Sequence, residues 1–199
     1  MRNKFYARAW RILRPIVLFF LPVELRGTEN LEDEAAILCA NHSSAWDPIL
    51  LVLAMPQSFN LRIMAKKQLF SIPLVRWFLR NMGVFPVDRG NSDIGAVKTA
   101  ISSLRDDWNL LIFPEGTRVK KPGQGTPKSG AGMMAIRAGV KMVPVFIGTA
   151  KRLFRKTVII FGKPFTPSYT GRKGTAEEYQ ANTDEVMRRA YELGGVSCL

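Results

Sequence analysis

A chain of 199 residues with 47% apolar content is long enough to bury one sizeable core, and no internal repeat or low-complexity block divides it. Its 29 lysines and arginines against 16 acidic residues leave a formal charge of +13, which implies an anionic partner: a membrane surface, a phosphorylated substrate, an acidic carrier protein or nucleic acid. One histidine and two cysteines exclude a His-rich metal site, a zinc ligand set and a disulfide framework, so a metal-free, cofactor-free protein of a reducing compartment is the default.

From Lys4 to Phe20, Phe5, Tyr6, Ala9, Trp10, Leu13, Ile16, Val17 and Phe20 fall within an arc of about 140° at the helical period. Lys4, Arg8, Arg11 and Arg14 lie opposite. The pattern predicts a basic amphipathic helix, kinked at Pro15. The uninterrupted apolar run, residues 16–21, is far short of the ~20 residues needed to span a bilayer, and no small-residue cleavage site follows it. Residues 1–24 are therefore read as an amphipathic membrane-anchoring segment, against the alternative of a helix packed on the domain, and residues 25–199 as an α/β domain.

Residues 25–31 read as a short strand and turn. Strand patterns then occur at 35–39, 61–65, 84–87, 110–113, 143–147 and 157–161, and helix patterns at 48–53, 72–81, 92–105, 130–138 and 176–193. The alternation predicts an α/β fold, a largely buried sheet flanked by helices. Ile72 to Met82 is apolar with two arginines and reads as a core helix, or as the lining of an acyl-chain tunnel.

The segment Asn41-His42-Ser43-Ser44-Ala45-Trp46-Asp47-Pro48 holds the single histidine with a carboxylate five residues on. Only this imidazole can carry proton transfer near neutral pH, and a carboxylate is its usual orienting partner. Five helical residues turn through about 500°, so the two side chains meet only if His42 lies in the turn before the helix. Asp47-Pro48 reads as N-cap and first helical residue, with the helix starting at Pro48. Two readings stand: an acid–base pair, or a cap beside a polar loop histidine.

Phe113-Pro114-Glu115-Gly116-Thr117-Arg118 follows an apolar strand and presents an acid, a hydroxyl and a guanidinium on a turn. Arg118 can grip phosphate in a bidentate fork, with Gly116 admitting close backbone approach and Thr117 adding a donor. An ordinary turn with a Glu115–Arg118 ion pair is the plainer reading. Residues 120–130 are basic and Gly/Pro-rich but lack the Gly-Lys-Ser/Thr ending of a phosphate loop.

Together these segments resemble the glycerolipid acyltransferase family, and within it the 1-acyl-sn-glycerol-3-phosphate acyltransferases that make phosphatidic acid. Four blocks match in order: His42 to Asp47, with Asn41 and Ser44 fitting the pattern; Gly83 to Arg89; Phe113 to Arg118; and Val143-Pro144-Val145. Lys128-Ser129-Gly130 falls where the family has a lysine, a small residue and a glycine. Pro86 is the departure, since a β-former is more usual there, and it threatens to end its strand early.

The resemblance implies His42 as general base and Asp47 as its orienter. Arg89, Glu115, Gly116, Thr117, Arg118 and Lys128 would meet the substrate phosphate, supported by Asn41, Ser44, Gly83 and Pro144. The hydroxyl of a lysophospholipid would attack an acyl thioester of coenzyme A or acyl carrier protein directly, at the cytosolic face of the cytoplasmic membrane. Backbone N–H groups at the start of the Pro48 helix are candidate oxyanion donors. Neither cysteine suggests an acyl-enzyme, and no Gly-x-Ser-x-Gly elbow occurs. The same chemistry on glycerol 3-phosphate or another lysophospholipid is an alternative, and a non-catalytic module for anionic lipid is another. No nucleic-acid-binding motif appears.

Overall fold

The computed structural model describes residues 4–88, 93–119 and 123–196. Helix α1 (Lys4–Phe20) leads into β1 (Val23–Arg26) and a 3-10 turn at Thr28–Asn30. There follow β2 (Ala36–Ala40), α2 (Trp46–Ala54), β3 (Leu61–Lys66), a second 3-10 segment (Lys67–Ser71), α3 (Pro73–Asn81), β4 (Val84–Val87), α4 (Ile94–Arg105), β5 (Asn109–Ile112), α5 (Gly130–Ala138), β6 (Lys141–Ile147), β7 (Thr157–Phe161) and α6 (Ala176–Leu193).

The seven strands form one mixed sheet in the order β1-β7-β6-β2-β5-β3-β4. Five strands, β6 to β4 in that order, run parallel, while β7 pairs antiparallel to β6 and carries β1 alongside it in its own direction. All five residues of β2 are buried, as expected of a strand covered on both faces. Alternate residues divide the core. Ala36, Leu38 and Ala40 join Leu51 and Met55 beneath α2, whereas Ile37 and Cys39 face Ala100 of α4, Met134 of α5 and Val186 of α6. The result is a three-layer α/β sandwich.

Pro86 does not end its strand. It pairs with Ala65 in register, and β4 lies at the sheet edge, where a missing N–H leaves no ladder bond unmade. The start of α2 does differ from the expected position: the helix begins at Trp46 with Ala45 as N-cap, so Asp47 lies inside the first turn. Its carboxylate is engaged elsewhere, as described below. Helix α6 opens on a capping box, in which the Thr175 hydroxyl accepts from the Glu178 N–H and the Glu178 carboxylate from the Thr175 N–H.

Helix α1 is continuous through Pro15 and packs on α2 and α3. Tyr6 is buried, and Phe5 meets the Trp77 and Phe78 rings edge-on. Arg14 lies over the Trp10 ring rather than opposite it. Ile12, Ile16, Phe19 and Phe20 are left outward and exposed, between the packed side and the basic side. The Phe19 and Phe20 rings cluster with exposed Phe154, whose N–H donates to the Phe20 carbonyl. Among the described residues no helix is long and apolar enough to cross a membrane.

Helices α5 and α6 approach closely at Gly132. A Cβ there would lie 2.2 Å from the Tyr179 carbonyl oxygen, and the Gly132 N–H donates to Thr183 Oγ1 at 2.9 Å. Gly132→Ala should therefore push the helices apart and destabilise the fold by about 2 kcal/mol, even after the gain in helix propensity. Urea unfolding of the variant checks this, and a change below a few tenths of a kcal/mol would be incompatible with so close a contact.

Candidate active site

The carboxyl ends of the parallel strands bring together segments that are distant in sequence. β2 runs into Asn41 and His42, β5 into Pro114 to Arg118, β3 ends at Lys66, β4 leads to Asp88 and β6 to Lys151. Open α/β sheets place ligand sites at this end.

Asn41 continues the β2–β6 pairing with its side chain, its Nδ2 donating to the Ile147 carbonyl at 3.0 Å and its Oδ1 accepting from the Ile147 N–H at 2.7 Å. His42 is thereby fixed in the turn ahead of α2, as its meeting with Asp47 requires. Its Nδ1 lies 3.0 Å from Asp47 Oδ2, and its ring stacks on Phe113 at 4.3 Å between centroids.

The same Oδ2 accepts from the Ser43 and Ser44 N–H groups, each at 2.7 Å. On the other side Lys151 Nζ makes an ionic contact with Oδ1 at 2.5 Å and donates to Ser43 Oγ at 2.8 Å. Asp47 is fully buried. Burial pushes its carboxyl up, but the hydrogen bonds from His42 and Lys151, the Lys151 charge and the Ser44 N–H together hold it below its ordinary value.

Several backbone donors at the head of α2 are already engaged. Ser43 and Ser44 serve Asp47, the Trp46 N–H donates to Ser44 Oγ at 3.2 Å, the Asp47 N–H to the Ser44 carbonyl, and Pro48 has none. These four N–H groups, among the expected oxyanion donors, are thus not on offer to a ligand.

Glu115 also departs from expectation. It is 4% exposed, turned into the protein and away from Arg118: one oxygen accepts from the His42 N–H at 2.9 Å, and the other takes the Tyr191 hydroxyl of α6. It is a strut between α6 and the histidine turn rather than a phosphate contact. Burial raises its carboxyl above the usual range, partly offset by hydrogen bonds from Tyr191 and His42. The Val119 N–H donates to the His42 carbonyl at 2.8 Å, tying the two turns together again.

Beside the imidazole lies a cleft of about 490 Å³ lined by His42, Lys66, Gln68, Asp88, Gly116, Thr117 and Arg118. Two cations and a hydroxyl suit it to a phosphate. An adjoining recess of about 210 Å³ shares Gly116 and Asp88, with Lys128 at its rim and Met64, Val97, Ile112, Phe113 and Met134 making it largely apolar.

Sequence motifs identified His42, Asp47, Thr117 and Arg118 here. Lys66, Gln68, Lys151 and Tyr191 escaped them, because each comes from a segment with no signature of its own. The Ser44 hydroxyl accepts from the Trp46 N–H in its own turn. Pro144 lies within β6, opposite Cys39. Gly83 is not at the site: it makes the α3–β4 turn with φ of 79°, at the opposite end of the sheet. Arg89 lies outside the described residues, as do Lys120 and Lys121.

An imidazole held by a buried carboxylate beside a cationic cleft is equipped to move a proton on an anionic ligand. The chain belongs to the Acyltransferase family, whose model matches residues 22–148, in agreement with the resemblance carried by the four blocks. It is similar to a chloroplastic 1-acyl-sn-glycerol-3-phosphate acyltransferase of Arabidopsis thaliana, 33% identical over 75% of this chain and 43% of that protein. It is also similar to the 1-acyl-sn-glycerol-3-phosphate acyltransferase of Streptococcus pneumoniae, 38% identical over 57% of this chain and 42% of that protein. The matched stretch is thus less than half the length of these two relatives. The Bacillus subtilis protein of the same description is 29% identical over 86% of this chain and 87% of its own length. The crystal structure of the 1-acyl-sn-glycerophosphate acyltransferase PlsC from Thermotoga maritima superposes with a TM-score of 0.69 at 26% identity, covering 98% of this chain and 84% of that one.

Proposed function

We propose that this protein transfers an acyl group from an acyl thioester to the free hydroxyl of 1-acyl-sn-glycerol 3-phosphate, forming phosphatidic acid. The observation that carries the reading is the His42–Asp47 pair, 3.0 Å apart, opening on the cleft that holds Lys66, Thr117 and Arg118. With Nδ1–H given to Asp47, Nε2 of His42 is the free lone pair of the imidazole.

His42 accepts the hydroxyl proton as the new C–O bond forms at the thioester carbonyl. The tetrahedral intermediate expels the thiolate, the C–S bond breaks, and the imidazolium returns the proton to sulfur. Asp47 stabilises the imidazolium in between. Lys66, Thr117 and Arg118 hold the acceptor phosphate, assisted by Lys128 and Arg89, and the apolar recess takes the acyl end of the donor. Neither a metal nor a further cofactor has a step to perform; the donor is acyl-coenzyme A or acyl carrier protein.

A lipid acceptor fits the exposed apolar flank. Ile12, Ile16, Phe19, Phe20 and Phe154 would enter the cytosolic surface of a membrane, with Arg8 and Arg11 at the headgroups, so that residues 1–24 act as a monotopic anchor.

The test is transfer of radiolabelled palmitate from palmitoyl-coenzyme A, and separately from palmitoyl-carrier protein, to lysophosphatidic acid in detergent micelles. Labelled phosphatidic acid from either donor is the expected result. Product with glycerol 3-phosphate alone would reassign the acceptor, and no product with any acceptor would reject the reading in favour of a lipid-binding module.

A further inference from the structure

The residue that completes the histidine–aspartate pair comes from the loop after β6, the strand beside β2. Lys151 follows β6, and its side chain is 6% exposed. Lysine is almost never so buried without a specific partner. Here the partners are Asp47 Oδ1 at 2.5 Å and Ser43 Oγ at 2.8 Å. The end of β6, four residues before Lys151, is held by the same device that holds the histidine, because Asn41 binds both backbone groups of Ile147.

Both oxygens of Asp47 are therefore assigned. Oδ2 receives the imidazole and two N–H groups, and Oδ1 receives the ammonium. Rotation of the carboxylate away from His42 would break the contact with Lys151. A carboxylate already matched by one cation also attracts a second less strongly than a bare one does.

Other charged groups face the imidazole too. Glu115 binds the His42 N–H from the β5–α5 loop, with Tyr191 of α6 behind it, and Lys66, Asp88 and Arg118 line the cleft. Lys151 differs from all of them in sharing the carboxylate that His42 itself uses.

We propose that Lys151 is a positioning residue of the site: by sharing Asp47 with His42 it fixes the carboxylate in its hydrogen-bonding orientation and tempers the pull of that carboxylate on a proton at the imidazole. The role rests on the acyl-transfer reading for its purpose, but the coupling itself can be measured without turnover. His42 is the single histidine of the chain, so its imidazole resonance needs no assignment.

The experiment is an NMR titration of that resonance in wild type, Lys151→Met, Lys151→Gln and Lys151→Arg, with pH–rate profiles of palmitoyl transfer on the same samples. In the Met and Gln variants the titration midpoint should rise by about one pH unit, since a cation has been removed from the surroundings of the imidazolium. The acid limb of the rate profile should move with it, costing about tenfold in rate on that limb with recovery at alkaline pH. Lys151→Arg, which keeps the charge, should return the midpoint most of the way to wild type.

An unmoved midpoint in a folded Met or Gln variant would overturn the proposal. If neither neutral variant folds, a folded Arg variant whose midpoint lies about a full pH unit from the wild-type value would overturn it too, because charge at this position would then not set the titration of the imidazole. A shifted midpoint without acyl transfer in the wild type would uphold the coupling and reject the reaction, so the two failures are distinguishable.

Discussion

His42→Ala is expected to lose about a thousandfold in acyl transfer while remaining folded. A positioned general base contributes about 10²- to 10⁴-fold, and in this chain no second imidazole can substitute for it. The protein should tolerate the change because Asp47 keeps the Ser43 and Ser44 N–H groups and the Lys151 ammonium. What is lost is the imidazole's stacking on Phe113 and one hydrogen bond, together about 1 kcal/mol. The glutamate strut is untouched, since it binds the backbone N–H of residue 42 and not its side chain. Initial rates with saturating palmitoyl thioester and lysophosphatidic acid check the prediction. A variant retaining a tenth of the wild-type rate would remove His42 from the role of base. A residual rate climbing steadily with pH would indicate that acceptor ionisation in solution had replaced it.

Much of the architecture was legible because its signals are local. The apolar runs 84–87 and 157–161 are β4 and β7 as observed, and the helical periodicity at 130–138 and 176–193 marks α5 and α6 to the residue. Gly/Pro-rich flanks and a Thr-x-x-Glu capping box supply sharp boundaries there. The strand order was not legible. Nothing in residues 157–161 announces that β7 runs antiparallel to β6 and carries β1 with it, since that pairing depends on the path of the preceding connection. In the N-terminal helix one part of the apolar arc packs on the domain, as one of the two readings of its pattern expected, and another part is left exposed.

The site divides in the same way. The spacing of His42 and Asp47 is a short-range constraint, so the pair could be inferred once a turn was placed between them. Where α2 begins could not, because the carboxylate that reads as a cap is drawn back to Ser43, Ser44 and His42 from inside the helix. Glu115 reads as a ligand of an anion in the sequence because its neighbours do. Its real partners, the His42 backbone and Tyr191, are distant in sequence. Lys151 was equally invisible, more than a hundred residues from the aspartate it neutralises.

That neutralisation makes Asp47→Asn the substitution with the largest combined effect. An asparagine has one acceptor oxygen where the site uses two, and its NH₂ must face either the Lys151 ammonium or the donors at Ser43, Ser44 and His42. Activity should fall by about 10⁴-fold through loss of the imidazole's orientation and tautomer. Stability should fall by about 3 to 5 kcal/mol, because a buried ammonium has lost its counter-charge. The stability loss carries a pH signature. Asp47 is held below its ordinary value in the folded protein, so its contribution is fully present above the unfolded carboxylate range and is lost as pH falls through the folded value. The variant has nothing to protonate at this position. The difference in unfolding free energy between wild type and Asp47→Asn should therefore be largest near neutral pH and shrink on acidification below about pH 4. Urea unfolding across that range measures it. A gap that stayed constant, or widened towards acid, would mean that the Lys151–Asp47–His42 cluster is not an ionised network in the folded protein.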